Sequence, residues 1–278
     1  VFGILFGTEK SFLFRHCDPH HNGYGWTFDG GSELEQLQKI LRKNVMIRRL
    51  KKDVLPDLPK KIRQIIELPA NGLAGMIKEE QKAYRKYEDI MDQFDPGKIE
   101  DEDYKRSVSD LNKARMAAFS ELSRIRRETA IAKIPLVIDH IENALESGCK
   151  VIIFAHHLDV IDGIYDHFRD VAVRLAGDTS MDKRQEAVDR FQNDEGVRLF
   201  IGSIQASGVG ITLTASSYIV FSELDWVPGN ISQAENRACR IGQANTVLVQ
   251  HLILEGSIDV AIAKKLIEKQ EVIDRALD

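Results

Sequence analysis

Short apolar runs alternate with helix-compatible segments through the second half of the chain. From about residue 133, five runs are predicted to be strands, at 150–155, 171–175, 197–201, 218–222 and 247–252. The segments between them, about ten to fifteen residues long, alternate with the strands in the rhythm of βαβ units around a parallel sheet. We therefore predict an α/β fold with a central parallel sheet over 133–255. Ligands of such sheets bind at the carboxyl ends of the strands.

Two apolar stripes with helical spacing occupy the middle of the chain. The members of each stripe lie three, four or seven positions apart, which places them on one face of a helix. They are Ile77, Tyr84, Tyr87, Met91 and Phe94, and then Tyr104, Val108, Leu111, Ala118, Leu122 and Ile125. Asp95, Pro96 and Gly97 form a turn signal between the stripes. The pattern predicts an antiparallel helical protrusion over 70–132, with its aromatic residues in core packing.

The first 69 residues carry a weaker pattern. We expect an irregular start, a helix stop at Pro56 and Pro59, and then a strand, indicated by the period of two through Ile62, Gln64, Ile66 and Leu68. At the opposite end of the chain, residues 256–278 are predicted to form a helix that braces the sheet.

Positive charge is concentrated near the end of this first region. Residues 39–67 contain ten basic and three acidic side chains, a local excess of +7. Such a stretch either follows a phosphate backbone or forms a solvated helix face. Arg48, Arg49 and Lys51 are its candidate phosphate contacts.

The composition of the 278 residues is that of an ordinary globular protein with a net charge of −5. Its longest apolar runs are too short to span a bilayer, so no membrane is expected. Cys17, Cys149 and Cys239 are odd in number and far apart, which favours a reducing, intracellular compartment. The set HCDPHH at 16–21 matches no common zinc spacing, so we predict no metal site there. The chain also starts without Met on an apolar run, which favours a piece of a longer protein.

A glycine-containing segment follows the third predicted strand of the sheet. Residues 203–214 read SIQASGVGITLT, and Gly208 and Gly210 permit close backbone approach and exposed N–H groups, which suits a phosphate or a sugar. The alternative is a tight turn between a strand and a helix.

Two arginines follow further along. Gln233, Arg237 and Arg240 are spaced i, i+4 and i+7, which predicts one helix face with two guanidinium groups. Guanidinium matches phosphate geometry and suits charge on a transferring phosphoryl group. The alternative is a surface helix whose arginines pair with Glu235 or Glu223.

The chain resembles the C-terminal half of the motor of Swi/Snf-type DNA-dependent ATPases. The resemblance covers nearly all of the chain and keeps the family's order. It rests on MIRRLKKDVLPDLPKK at 46–61, KVIIFAHH at 150–157, LAGD at 175–178, the segment at 203–214, IVFSELDWVPGN at 219–230 and QAENRACRIGQ at 233–243. Residues 12–31 are most similar to the branch of the annealing helicases.

The resemblance implies a role for each matching position. Arg237 and Arg240 would be arginine fingers that complete an ATP site, and Gln233, Gly208 and Gly210 would line the same cleft. The family's DNA-backbone contacts would fall on Ser203, Trp226 and His156, although Trp226 is also suited to be a buried anchor. Asn236 and Cys239 depart from the acid and the histidine that are frequent at these positions.

The resemblance also implies an arrangement of domains. Residues 1–69 would be the end of a first motor lobe with the basic junction between lobes, 70–132 the helical protrusion, 133–255 a RecA-like second lobe, and 256–278 the bracing helix. The expected partners are double-stranded or forked DNA and the first motor lobe. The expected location is intracellular, in the nucleus of a eukaryote or in the cytoplasm or nucleoid of a bacterium or virus.

The sequence lacks the phosphate-binding loop G-x-x-x-x-G-K-[ST] and an Asp-Glu-x-His segment. Residues 7–11 (GTEKS) lack the glycine before the lysine and carry no signal for a following helix. ATP and Mg²⁺ would therefore be bound mainly by the first lobe, and the chain alone is expected to be inactive. Two other classes stay open: a lobe of an RNA helicase or unwinding DNA helicase, and a non-catalytic DNA-binding or scaffold module.

Overall fold

The computed structural model describes residues 2–21, 26–28, 30–47, 58–92, 102–206 and 210–264. These residues fall into two compact units. The first contains residues 2–47 and 81–124 of the described chain, and the second contains residues 58–80 and 125–264. Arg48, Arg49 and Lys51 lie outside the described residues, as does Gly208.

The second unit is built on six parallel strands. Their bounds are β3 Lys61–Leu68, β4 Val151–Ala155, β5 Ala172–Leu175, β6 Leu199–Ser203, β7 Tyr218–Phe221 and β8 Val247–Leu254. Their order in the sheet is β3-β8-β7-β4-β6-β5, with β3 and β5 at the edges. The predicted α/β class and the parallel sheet are confirmed. Strand β6 begins two residues later than predicted, because Val197 lies in the turn that follows a helix.

The strand at 61–68 belongs to this sheet, which corrects the expectation of five strands starting after residue 133. It pairs with β8 along its whole length, from Lys61 opposite Val247 to Leu68 opposite Leu254. Most of its side chains are at least partly exposed, which suits a strand at the edge of the sheet. Parallel strands that pair can be far apart in sequence, so the local hydrophobic pattern of residues 61–68 could not predict the pairing of β3 with β8.

Helices cover both faces of the sheet. They are α6 Ile134–Glu146, α7 Leu158–His167, α8 Met181–Asn193 and α9 Pro228–Glu235. Strand side chains alternate between the two layers: Ile153 packs with α6 and α7, whereas Ile152 and Phe154 pack with α8 and α9. These strand residues are fully buried, so the backbone beneath the carboxyl ends of the strands is firmly held.

The segment predicted to be a helical protrusion contains α4 Ala74–Asp92 and α5 Glu102–Ala132. The Lys86 ammonium lies 2.8 Å from the Glu121 carboxylate, and the rings of Tyr87 and Phe119 are 5.7 Å apart. Lys86 precedes Tyr87 on α4, whereas their partners follow the reverse order on α5, with Phe119 before Glu121. The two helices are therefore antiparallel, as predicted. The turn signal at 95–97 lies outside the described residues.

The start of the chain is more regular than expected. It contains α1 Phe2–Phe6, α2 Glu9–His16 and α3 Leu34–Asn44, with a short antiparallel pair, β1 His20–His21 and β2 Trp26–Thr27. The side chain of Thr8 caps α2 by accepting a hydrogen bond from the Ser11 backbone N–H. A helix therefore does follow Gly7, which corrects the expectation of no helix there; the missing glycine before Lys10 still separates this segment from a phosphate-binding loop.

The predicted bracing helix is described only as far as residue 264. Ile258 and Ile262 in this part are buried. In the part of the chain that the structure describes, no helix has the length and apolar character needed to cross a bilayer.

Candidate functional site

The two predicted arginines lie in a tight turn after a helix and not on a helix face. Helix α9 ends at Glu235, and the Arg237 N–H donates to Ala234 O while the Arg240 N–H donates to Ala238 O. These bonds span three and two residues, and although the Cys239 N–H still reaches Glu235 O four residues back, the regular i to i−4 pattern does not continue through the turn. The Arg237 carbonyl instead accepts the Leu213 N–H at 2.9 Å. This bond to another segment explains why the predicted i, i+4 and i+7 face is wrong.

The arginine turn, residues 236–243, packs against the segment that follows β6. Arg240 is exposed, and its Nη1 donates to Ile211 O at 3.3 Å and to the Thr212 hydroxyl at 3.2 Å. The Gln243 amide donates to the carbonyls of Thr214 and Ser216 at 3.2 and 2.8 Å. The two motifs that the sequence singled out are therefore joined in space.

The electrostatics of the arginine turn suit an anion. Burial, and after it the charge of Arg240, lowers the pKa of the half-buried Arg237. Two cations so close together gain from a shared anionic ligand. The proposed alternative partners are engaged elsewhere: Glu235 binds Lys61 and Arg63, and Glu223 binds His157.

The remaining predicted cleft residues lie on nearby segments. Gly210 is exposed and has φ +68, a left-handed conformation that favours glycine, and no atom lies within 4 Å of the point that a Cβ would occupy there. Gln233 is exposed on α9. Both positions are accessible to a ligand, whereas Gly208 lies outside the described residues.

The three predicted DNA-contact residues lie at the carboxyl ends of neighbouring strands. Ser203 ends β6 opposite Ala155 of β4, and His156 follows Ala155 directly. The His156 Nδ1 lies 3.9 Å from Asp225 Oδ2, and Trp226 is the next residue. Ser203 is buried, His156 and Trp226 are half-buried, and the Trp226 ring is covered by the Arg126 guanidinium 4.9 Å from its centroid. Trp226 is thus both packed and partly accessible.

Known proteins match this chain in both sequence and fold. The family described as helicase conserved C-terminal domain matches residues 132–242. The human DNA annealing helicase and endonuclease ZRANB3 is 34% identical over 286 residues, which cover 100% of this chain and 25% of that protein. The Drosophila melanogaster SWI/SNF-related matrix-associated actin-dependent regulator of chromatin subfamily A-like protein 1 is 35% identical over 276 residues, covering 97% of this chain and 34% of the relative. The chain carries the C-terminal helicase lobe of the Swi/Snf family. It spans between a quarter and about a third of the length of these two relatives.

Solved structures agree on the RecA-like fold of the Swi/Snf lobe. The Sulfolobus solfataricus SWI2/SNF2 ATPase core in complex with dsDNA superimposes with a TM-score of 0.52 at 22% identity, covering 99% of this chain and 59% of that one. The C-terminal part of the Fun30 ATPase domain gives a TM-score of 0.52 at 18% identity, covering 79% of this chain and 97% of that one.

Sequence reasoning missed the polar contacts that support the predicted DNA-contact residues of the Swi/Snf lobe. The buried Glu223 carboxylate accepts the backbone N–H groups of His156 and His157 at 2.8 and 3.0 Å and pairs with His157 Nδ1 at 2.5 Å. Burial alone would raise the pKa of Glu223, but the hydrogen bonds and charge of His157 lower it to about 2. Glu223 therefore fixes the end of β4 as a buried anion. The sequence did offer one sign of its importance, because Glu223 directly follows the strand predicted at 218–222.

Arg126 is the second residue that sequence reasoning missed. It lies on α5, and its Nη2 donates to Leu224 O at 2.5 Å while its guanidinium covers Trp226. A buried arginine on the long helix thus fixes the segment after β7. Its distance in sequence from that segment, 98 residues, explains why pattern could not find it.

Proposed function

We propose that this chain is the second motor lobe of an ATP-driven double-stranded DNA translocase or remodeller. The arginine turn carries the proposal: the Arg240 guanidinium contacts the glycine-containing segment, and Arg237 lies close enough for the charge of Arg240 to lower its pKa. This arrangement supports a polyphosphate ligand, because planar cations that stay protonated match phosphate oxygens. The names of the DNA annealing helicase and the chromatin regulator among the relatives support the same class.

Bound ATP·Mg²⁺ would supply the phosphoryl group whose transfer to water drives movement. In our proposal Arg237 and Arg240 bind the oxygens on which negative charge increases in the transition state, Gln233 and Gly210 line the cleft, and Gly208 is expected to do so. Among the described residues there is no cluster of three or more His, Cys, Asp or Glu side chains suited to hold a metal ion. We assign most of the nucleotide and metal binding to a first lobe, because this sequence carries neither the phosphate-binding loop nor an Asp-Glu-x-His segment.

On the DNA side, we propose that Ser203, His156 and Trp226 contact the phosphate backbone at the carboxyl edge of the sheet, with Arg48, Arg49 and Lys51 adding positive charge. Burial, the first cause, and the neighbouring His157 lower the pKa of His156, so it would act as a neutral hydrogen-bonding group near pH 7. A double-stranded or forked DNA partner implies an intracellular site, the nucleus in a eukaryote.

The test separates nucleotide chemistry from DNA binding. In the full-length protein, Arg237→Ala or Arg240→Ala should reduce DNA-stimulated ATP turnover by at least about a thousandfold, since an arginine finger contributes on the order of 10³–10⁵ in rate. The dissociation constant for duplex DNA should stay within about twofold. Parallel loss of DNA affinity would show that these arginines bind DNA phosphates instead.

The same preparation separates the rival classes. Stimulation by RNA in place of duplex DNA would indicate an RNA helicase lobe. Absence of ATPase activity in the full-length wild type would indicate a non-catalytic DNA-binding or scaffold module.

A further inference from the structure

The last residue of helix α9 is a fully buried carboxylate. Glu235 receives two hydrogen bonds from Arg63, Nε to Oε1 at 2.8 Å and Nη2 to Oε2 at 2.7 Å. Lys61 Nζ donates to Oε2 at 2.5 Å. Both cations lie on the edge strand β3, so a charged cluster of three residues, Lys61, Arg63 and Glu235, connects β3 to the end of α9.

A carboxylate at this position requires nearby cations. The carboxyl end of a helix carries partial negative charge, and the side chain of Glu235 has no exposed surface. Burial by itself raises the pKa of Glu235, but the hydrogen bonds and charges of Arg63 and Lys61 outweigh it and lower the pKa below its ordinary value. Glu235 is therefore held as an anion by β3.

Glu235 directly precedes the arginine turn and is bonded to it. Its carbonyl accepts the N–H groups of Ala238 and Cys239 at 3.3 and 3.2 Å. Arg237 and Arg240 follow it by two and five residues, and their own N–H groups bond to carbonyls only three and two residues back. A second contact joins the same segments, because the Cys239 thiol lies 3.9 Å from Pro59 O just before β3. The orientation of the turn thus depends on contacts with β3.

We propose that Glu235 is a positioning residue for Arg237 and Arg240, and that Lys61 and Arg63 anchor it to the edge strand. The cluster holds the arginine turn in one orientation and makes that orientation depend on the chain segment that enters β3. This inference rests on the proposed function, in which the arginines act on ATP.

The central variant is Arg63→Met in the full-length protein, because half of the Arg63 side chain is exposed and Lys61 still pairs with Glu235 when Arg63 is replaced. We expect kcat for DNA-stimulated ATP hydrolysis to fall at least about tenfold, since small misplacement of a catalytic group costs up to about a hundredfold. The KM for ATP should stay within about twofold, as expected for contacts made only in the transition state. Glu235→Gln should give the same pattern. Arg63→Lys, which keeps the charge but not the two-bond fork, should restore part of the loss.

A binding measurement separates positioning from general destabilisation. In Arg63→Met, affinity for ADP with aluminium fluoride should fall at least about fivefold, whereas affinity for ADP alone should be unchanged, because only the former mimics the transferring phosphoryl group. Lys86→Met is the matched control, since it removes a partly exposed lysine from the ion pair with Glu121, and it should leave both affinities unchanged.

Three outcomes would overturn the inference. The first is an unchanged kcat in both Arg63→Met and Glu235→Gln. The second is that Arg63→Met loses affinity for ADP and for ADP with aluminium fluoride to the same extent. The third is that Arg63→Met lowers the affinity for DNA and leaves kcat unchanged. Arg240→Ala in the same series tests the proposed function separately. If Arg240→Ala retains turnover, the proposed function fails; if it abolishes turnover while Arg63→Met does not, only the positioning inference fails.

Discussion

Two buried carboxylates, Glu80 and Glu223, have pKa values shifted in opposite directions although they line the same small cavity. Burial and the nearby Asp259 raise the pKa of Glu80 to about 7, and the Ile258 N–H, Arg126 and Lys133 only partly compensate. Glu223 is equally enclosed, but hydrogen bonds and charge from His157 lower its pKa to about 2. The direction of each shift is therefore decided by the hydrogen-bond donors and the charges around the carboxylate and not by burial alone.

For Glu223, the anionic form stabilises the fold. The folded pKa of about 2 lies below the ordinary 4.5, so the contribution is present above pH 4.5 and is lost as the pH falls towards 2. Glu223→Gln should lower the free energy of unfolding by about 3 kcal/mol at pH 7. Urea denaturation of the chain at pH 7 measures this loss. The exposed Glu255→Gln is the control, and an equal effect of both substitutions would contradict the prediction.

For Glu80, the anionic form destabilises the fold. Its folded pKa of about 7 lies above 4.5, so the penalty is absent below pH 4.5 and grows as the pH rises to 7. Glu80→Gln keeps an oxygen for the Ile258 N–H and removes the charge. It should raise the free energy of unfolding by up to about 3 kcal/mol at pH 8 and by much less at pH 5. A gain that is the same at both pH values would point to another cause.

At the scale of the elements, a polar network fixes the edge of the sheet. The Gln250 side chain on β8 donates to Gln64 on β3 at 3.0 Å, and its oxygen accepts the Tyr218 hydroxyl of β7 at 2.6 Å. The same oxygen lies 2.7 Å from His140 Nε2 on α6. One buried amide thus connects three strands and a helix.

Replacing this amide leaves several polar groups unsatisfied. Gln250→Met keeps the length of the side chain, yet it should lower the free energy of unfolding by about 1–3 kcal/mol. Chemical denaturation measures the change. The exposed Gln185→Met on α8, which loses one hydrogen bond to Asp189, should cost less than about 0.5 kcal/mol. Comparable losses in the two variants would show that the network contributes little.

The elements that sequence predicted well are those whose partners are implied by local pattern. The buried runs of β4 and β7 and the helical stripes around Ala118 and Leu122 follow from periodicity alone. The elements that differ from the prediction are those that depend on contacts between distant segments. Strand β3 belongs to the sheet because it pairs with β8. The helix predicted through Arg237 ends early, and the Arg237 carbonyl accepts a hydrogen bond from the Leu213 N–H. The sequence predicted which residue types form the candidate site but not their arrangement in space. That arrangement depends on contacts of the arginine turn with Glu235 and β3, which are distant from each other in sequence.

At the scale of the whole molecule, the proposed function gives this lobe the arginines that would act on a nucleotide, while its sequence contains no phosphate-binding loop. In a motor with two lobes, the ATP site is complete only when both lobes contribute residues. Each lobe alone is therefore expected to hydrolyse no ATP. We predict that the 278-residue chain releases no phosphate from ATP above the level of its Arg240→Ala variant, with or without duplex DNA. A steady-state phosphate assay measures this, and release above that control would contradict the prediction.

A complementation assay, in which the two lobes are mixed, extends this prediction from the lobe to the complete motor. If the chain folds as one lobe of a pair, adding it to a separately prepared first lobe of the same protein should raise DNA-stimulated ATP turnover. The wild-type chain should do so at least about a hundredfold better than Arg240→Ala, because finger arginines act on charge that the other lobe holds in place. Lys86→Met should complement as well as the wild type, since it leaves the arginine turn intact. Equal complementation by the Arg240→Ala chain would mean that the lobe supports the motor through structure alone.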